Sequence, residues 1–128
     1  MKEIKCILII EDEPNNRELE KILLKRDGYT VLEAENAERG ITIAEDEQPD
    51  VIILDWQLPK MDGLQAIKVL KNNPKTKDIP VIFVTASAAS EQIKLLKESP
   101  ACGYITKPIN TRTFVGEVIK LAGKNAGH

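Results

Sequence analysis

The chain has 128 residues, 42% of them hydrophobic and 30% charged, with a formal net charge of −2. That length and balance fit one globular domain whose core closes without disulfide or metal staples, and the charge excludes bulk electrostatic attraction to nucleic acid or to an anionic membrane. No apolar run approaches a membrane span, Met1-Lys2-Glu3 leads into the first apolar run with no secretory pattern, and Cys6 and Cys102 lack metal-ligand spacing, so the cysteines read as core residues in a reducing compartment, the cytoplasm.

Short apolar runs alternate with stretches of helical period. Cys6 to Ile10 reads as a first strand. Asp12 or Glu13 then opens a helix, with Pro14 suited to its first turn, Leu19, Ile22 and Leu23 on its apolar face and Gly28 as its C-terminal stop. Thr30 to Ala34 is a second strand, and Asn36 caps a helix on which Ala37, Ile41 and Ala44 share a face. Val51 to Leu54 is a fully apolar third strand. A helix follows from about Gly63 to Asn73, with Ala66, Ile67 and Leu70 inward and Pro74 stopping it. Pro80 introduces a fourth strand, Val81 to Val84, and a helix covers roughly Ser90 to Glu98. Gly103 to Thr106 is the fifth strand. Asn110 or Thr111 caps a last helix that aligns Phe114, Val118 and Leu121. One domain spans 1–128, with its core at about 4–123 and a polar tail at 124–128, and there are no repeats or internal linkers.

Strict alternation of strand and helix predicts an α/β fold, a five-stranded parallel sheet with helices on both faces. The continuously apolar strands agree, because a parallel sheet is buried on both sides. Right-handed crossovers bring every strand's C-terminal end to one edge, where sites form near the switch point in strand order.

Glu11, Asp12 and Glu13 follow the first strand, Asp55 the third, Thr85, Ala86 and Ser87 the fourth, and Thr106, Lys107 and Pro108 the fifth. Clustered carboxylates repel one another unless a cation sits among them. Hard oxygen ligands without histidine or thiolate favour magnesium, and a hydroxyl and an ammonium beside such an ion suit a phosphoryl group. Singly, each residue has a plainer reading. Glu11 or Asp12 can cap the first helix, Thr85 can serve a turn and Lys107 can be a surface lysine. Four such residues at the ends of four strands argue for a site instead.

The chain resembles the receiver domain of two-component response regulators over nearly its whole length. The resemblance rests on Ile9-Ile10-Glu11-Asp12-Glu13, on Pro49-Asp50-Val51-Ile52-Ile53-Leu54-Asp55-Trp56-Gln57-Leu58-Pro59-Lys60-Met61-Asp62-Gly63, on Ile79-Pro80-Val81-Ile82-Phe83-Val84-Thr85-Ala86 and on Gly103-Tyr104-Ile105-Thr106-Lys107-Pro108. It implies the flavodoxin-like (βα)5 receiver fold and a phosphoacceptor switch in a phosphorelay. Asp55 takes a phosphoryl group from the phosphohistidine of a sensor histidine kinase or a histidine phosphotransfer protein. Asp12, Asp55 and the backbone carbonyl of Gln57 ligate Mg2+, and Glu11 acts through a water. Thr85 and Lys107 bind phosphoryl oxygens, Ala86 keeps the approach open, and the Lys107-Pro108 bond is cis. Glu11 stands where many relatives carry aspartate. Gln57 and Ser87 flank the route of attacking water and tune the lifetime of the acyl phosphate.

The matching placement of a threonine after the fourth strand and an aromatic in the fifth points to a switch in which Thr85 moves toward the phosphoryl group and Tyr104 turns inward behind it, reshaping the face of the fourth helix, fifth strand and last helix; the plainer reading of Tyr104 is a half-exposed strand residue. A downstream protein target reads that face, with Lys94 and Lys97 as members and Ile93 as either a member or a core residue. The chain then catalyses only its own phosphorylation and dephosphorylation, with no direct DNA binding. Its start and short tail fit a stand-alone regulator better than a receiver cut from a hybrid histidine kinase. A flavodoxin-like cofactor binder would need a phosphate-cradling loop where Glu11-Asp12-Glu13 repels anions. A haloacid-dehalogenase-type phosphatase would need a second aspartate where Gln57 stands.

Overall fold

The structure, a computed structural model, describes residues 3–86 and 89–126, apart from the side chains of 124–126. In chain order the elements are β1 (Cys6–Ile10), α1 (Pro14–Arg26), β2 (Thr30–Ala34), α2 (Ala37–Glu47), β3 (Val51–Asp55), α3 (Gly63–Lys71), β4 (Val81–Thr85), α4 (Ser90–Glu98), β5 (Gly103–Thr106) and α5 (Phe114–Ala126). The strands form one sheet of order β2-β1-β3-β4-β5, with every neighbouring pair parallel. This is the parallel, doubly covered α/β sheet that the alternation predicts, in the flavodoxin-like (βα)5 form that the resemblance implies.

Each strand's period of two divides the core. Leu8, Ile10, Ile52, Leu54 and Phe83 face one side, with Ala44, Ala66, Ile67, Leu70 and Leu96 of α2, α3 and α4 packed on them. Ile7, Ile9, Ile53, Ile82 and Val84 face the other, against Leu23, Leu24, Phe114 and Val118 of α1 and α5. Both faces are covered, so the central strands β1, β3 and β4 carry no polar face.

Four local readings are corrected. First, α1 does not bury Leu19 and Ile22, which are 37% and 51% exposed; its buried residues are Glu20, Leu23 and Leu24. The stripe 20, 23, 24 has the same helical spacing as 19, 22, 23, and only the position of the sheet chooses between them. Second, α3 ends at Lys71, not Asn73, because the Asn73 side chain accepts from the Lys75 N–H (2.9 Å) and opens a turn before Pro74 can act. Third, α5 begins at Phe114. The Asn110 side chain accepts from the Arg112 N–H (2.9 Å), and the Asn110 carbonyl accepts from Thr113 and Phe114, so a separate turn precedes the helix. Fourth, helix continues through Ala126 into the stretch read as tail.

The starts of α1 and α2 are as expected. Glu13 is the N-cap of α1, its Oε2 accepting from the Asn16 N–H at 2.8 Å, with Pro14 next. Asn36 caps α2 in the same manner, and Gly28 follows α1 with φ +97. Asp62 and Gln65 form a reciprocal capping box that starts α3 beside the end of β3.

Candidate functional site

β1 and β3 are neighbours, and the chain turns outward from them in opposite directions, to β2 and to β4. The crevice at their C-terminal ends is therefore the switch point of the sheet. β3 and β4 each run one residue beyond the apolar run read from the sequence, so Asp55 and Thr85 are strand residues held by the ladder.

Asp55 is only 6% exposed. Its Oδ1 accepts from the Gln57 N–H at 3.1 Å and its Oδ2 from Lys107 Nζ at 3.1 Å. Lys107 Nζ also donates to Glu11 Oε1 at 2.8 Å, while Glu11 Oε2 accepts from the Glu13 N–H at 3.2 Å. Glu11, Asp12 and Asp55 offer carboxylate oxygens that all lie within 4.8 Å of one another; Asp12 is exposed and the other two are buried. The Lys107 backbone N–H donates to the Thr85 carbonyl at 2.7 Å, which ties the ends of β5 and β4 together, and the Lys107-Pro108 peptide is cis.

The electrostatics follow from this crowding. Burial pushes the Glu11 carboxyl up, its hydrogen bond to Asp55 pushes it further, and Lys107 pulls it back in part. Burial and then Glu11 push Asp12 up. Burial disfavours the charged form of Lys107, but its bonds to Glu11 and Asp55 outweigh that and hold it above the ordinary lysine value. One ammonium thus faces three carboxyls, a donor set of hard oxygens short of positive charge. The acidic groups fit a magnesium ion.

The remaining predicted residues are placed as follows. Thr85 is fully buried at the end of β4, and Ala86 is exposed directly after it. Tyr104 is paired in register with Phe83 and packs, half-buried, on the core of the α3 and α4 face. Gln57 is exposed with its N–H turned to Asp55. Ser87 lies outside the described residues.

Two residues near the site escaped the sequence reading. Arg17 donates from Nη1 to the Glu11 carbonyl at 2.8 Å and pairs through Nε with Glu33 on β2 at 3.4 Å. Glu20 is 2% exposed, and burial pushes its carboxyl up to about 8, with Glu11 adding to the rise, Lys107 opposing it and Asp55 adding a further push. The signal for Glu20 was its spacing three and four residues before Leu23 and Leu24.

Residues 7–119 match the family model described as the response regulator receiver domain. The chain is 38% identical over 112 residues to the phosphate regulon transcriptional regulatory protein PhoB of Klebsiella pneumoniae, an alignment covering 88% of this chain and 49% of that protein. It therefore spans about half the length of the phosphate-regulon relatives it matches. It is 34% identical over 116 residues to the polar-differentiation response regulator DivK of Brucella anthropi, covering 91% of this chain and 94% of DivK. Among solved structures, the signal receiver domain of a signal transduction histidine kinase from Syntrophus aciditrophicus superposes with a TM-score of 0.84 at 31% identity, covering 94% of this chain and 91% of that one.

Proposed function

The chain belongs to the response-regulator receiver domain family of two-component signalling, and on that premise we propose that it is a switch thrown by phosphorylation of Asp55. The observation that carries this reading is the Asp55 carboxylate at the sheet's switch point, bound to Lys107 at 3.1 Å and within 4.8 Å of the carboxylates of Glu11 and Asp12.

In the transfer, an Asp55 carboxylate oxygen bonds to phosphorus and the phosphorus–nitrogen bond of a partner's phosphohistidine breaks. The bonding pair stays with the imidazole nitrogen, and the phosphoryl group remains as an acyl phosphate. The partner is a sensor histidine kinase or a histidine phosphotransfer protein. Asp12, Asp55 and the Gln57 carbonyl would hold magnesium, with Glu11 acting through a water. When bound, the ion supplies positive charge against the phosphoryl oxygens. Lys107 follows the transferred group and pairs with one oxygen, and the Thr85 hydroxyl donates to another. Ala86 leaves the approach open. The chain catalyses only its own phosphorylation and dephosphorylation and acts in the cytoplasm.

The new group brings about −1.5 to −2 charges at neutral pH. Thr85 moves toward it, and Tyr104 turns into the space left behind, altering the surface of α4, β5 and α5. A downstream protein reads that surface. Ser90, Ile93, Lys94, Lys97 and Glu98 line a groove there, and Leu95 beside it is 44% exposed. The likeness to a receiver domain of a histidine kinase favours a second reading, a receiver that belongs to a hybrid kinase; it shares the same chemistry.

Incubation with an acyl phosphate and magnesium, read by intact mass, tests the core of this reading. One added phosphoryl group in the wild type, absent in Asp55→Asn, is the expected result. A wild type that gains no mass with any donor overturns it.

A further inference from the structure

Glu20 is an unusual residue to find inside. It is the first residue of the buried stripe of α1, ahead of Leu23 and Leu24, 2% exposed, and its Oε1 is buried with no hydrogen-bond partner among the described residues. An unpaired buried carboxyl destabilises a fold relative to an apolar side chain of similar size. Its surroundings show what it does face. Asn16, Leu19, Glu20, Lys107, Pro108 and Ile109 wall one cavity of about 90 Å³ between α1 and the segment after β5. The lysine that binds Asp55 is therefore also a wall of the space that Glu20 lines.

We propose that Glu20 is a positioning residue for Lys107: across this cavity its carboxyl is a third acceptor for the ammonium, beside Glu11 and Asp55, and it sets how firmly Lys107 is held on Asp55. The charged groups that bear on Glu20 from the neighbouring elements are Glu11 at the end of β1, Asp55 at the end of β3 and Lys107 after β5. The two acids disfavour its ionised form and the lysine favours it. Burial keeps the carboxyl protonated up to about pH 8, and in that state it competes weakly for the ammonium. Once ionised, it draws Lys107 away from Asp55 and from an incoming phosphoryl group. Lys107 itself titrates above the ordinary lysine value, so it stays charged through this window.

This inference rests on Asp55 being the phosphoacceptor, and the test separates the two. Phosphorylation of the full chain by an acyl phosphate with saturating magnesium is followed by intact mass between pH 7 and pH 9. The wild-type rate falls about threefold or more across that range, while Glu20→Gln and Glu20→Leu, which cannot ionise, give flat profiles. Parallel profiles in all three proteins overturn the proposal. The second measurement needs no phosphorylation: the Glu20 carboxyl is titrated by carbon NMR in the wild type and in Lys107→Met. Loss of the ammonium moves the Glu20 titration to higher pH. An unmoved titration overturns the proposal even if Asp55 accepts no phosphoryl group, whereas a shifted titration in a protein that is never phosphorylated condemns only the reading of Asp55.

Discussion

Lys107 Nζ lies 2.8 Å from Glu11 Oε1, a bond between residues 96 positions apart that joins the segment after β5 to the end of β1 across the width of the site. Glu11 is nearly sealed from solvent while the lysine side chain keeps 19% of its exposure. The pair holds positive charge where the sheet brings the carboxyls of Glu11, Asp12 and Asp55 together.

Removing that ammonium leaves Glu11 and Asp55 facing each other with no counter-charge. Lys107→Met is expected to lose about 1–3 kcal/mol of stability at neutral pH. Magnesium, by binding the folded state alone, restores part of the loss. Urea denaturation with and without the ion checks this. Equal stability of variant and wild type in metal-free buffer would contradict it.

Glu20 makes stability depend on pH. Its folded-state value, about 8, lies above the ordinary carboxyl value of 4.5, so the folded protein holds a proton that the unfolded chain releases between those limits. The stabilisation is complete below about pH 4.5 and is lost as pH rises through about 8. In that window this group lowers stability by about 1.4 kcal/mol per pH unit at most. Glu20→Gln removes that part of the slope. Denaturation curves at pH 5, 6, 7 and 8 are the measurement, and parallel slopes in the two proteins would refute the assignment.

Gly63 marks a close approach beneath Asp55. A Cβ at this position would stand 2.8 Å from Phe83 Cε1, 3.0 Å from the Trp56 Cα and 3.1 Å from the Asp55 carbonyl oxygen. Phe83 is itself fixed edge-on to Trp56, with ring centroids 5.1 Å apart. Gly63→Ala is expected to destabilise by about 1–3 kcal/mol through overpacking and to slow phosphorylation by displacing the end of β3. Thermal unfolding and intact-mass kinetics report the two effects; a variant as stable as the wild type would show that the loop yields freely.

The facing of α1 is open to a simple comparison. Ile22 is 51% exposed and Leu24 is fully buried. Ile22→Lys is expected to change stability by no more than about 0.5 kcal/mol, and Leu24→Ala to lose about 2–5 kcal/mol. Chemical denaturation ranks them, and the reverse order would return the helix to the face read from sequence.

Much of the architecture was legible because its signals are local. Apolar runs such as Val51 to Leu54, the N-cap at Asn36, the glycine after α1 and the order of strand and helix all depend on near neighbours in the chain. The ends of elements were less legible. The Asn73 and Asn110 side chains redirect the backbone through their own short-range hydrogen bonds, and those compete with helix on nearly equal terms.

The sequence by itself determined the fold class and the identity of the acidic, hydroxyl and lysine residues at the strand ends, since parallel alternation and crossover handedness leave one edge for them to share. Tertiary structure alone decided which stripe of α1 turns inward, and with it the burial of Glu20 beside Lys107. Two stripes of equal helical spacing are indistinguishable along the chain, and only the sheet packed against the helix selects one. It alone also decided that Lys107 bridges Glu11 and Asp55, because a bond across 96 residues has no local signal.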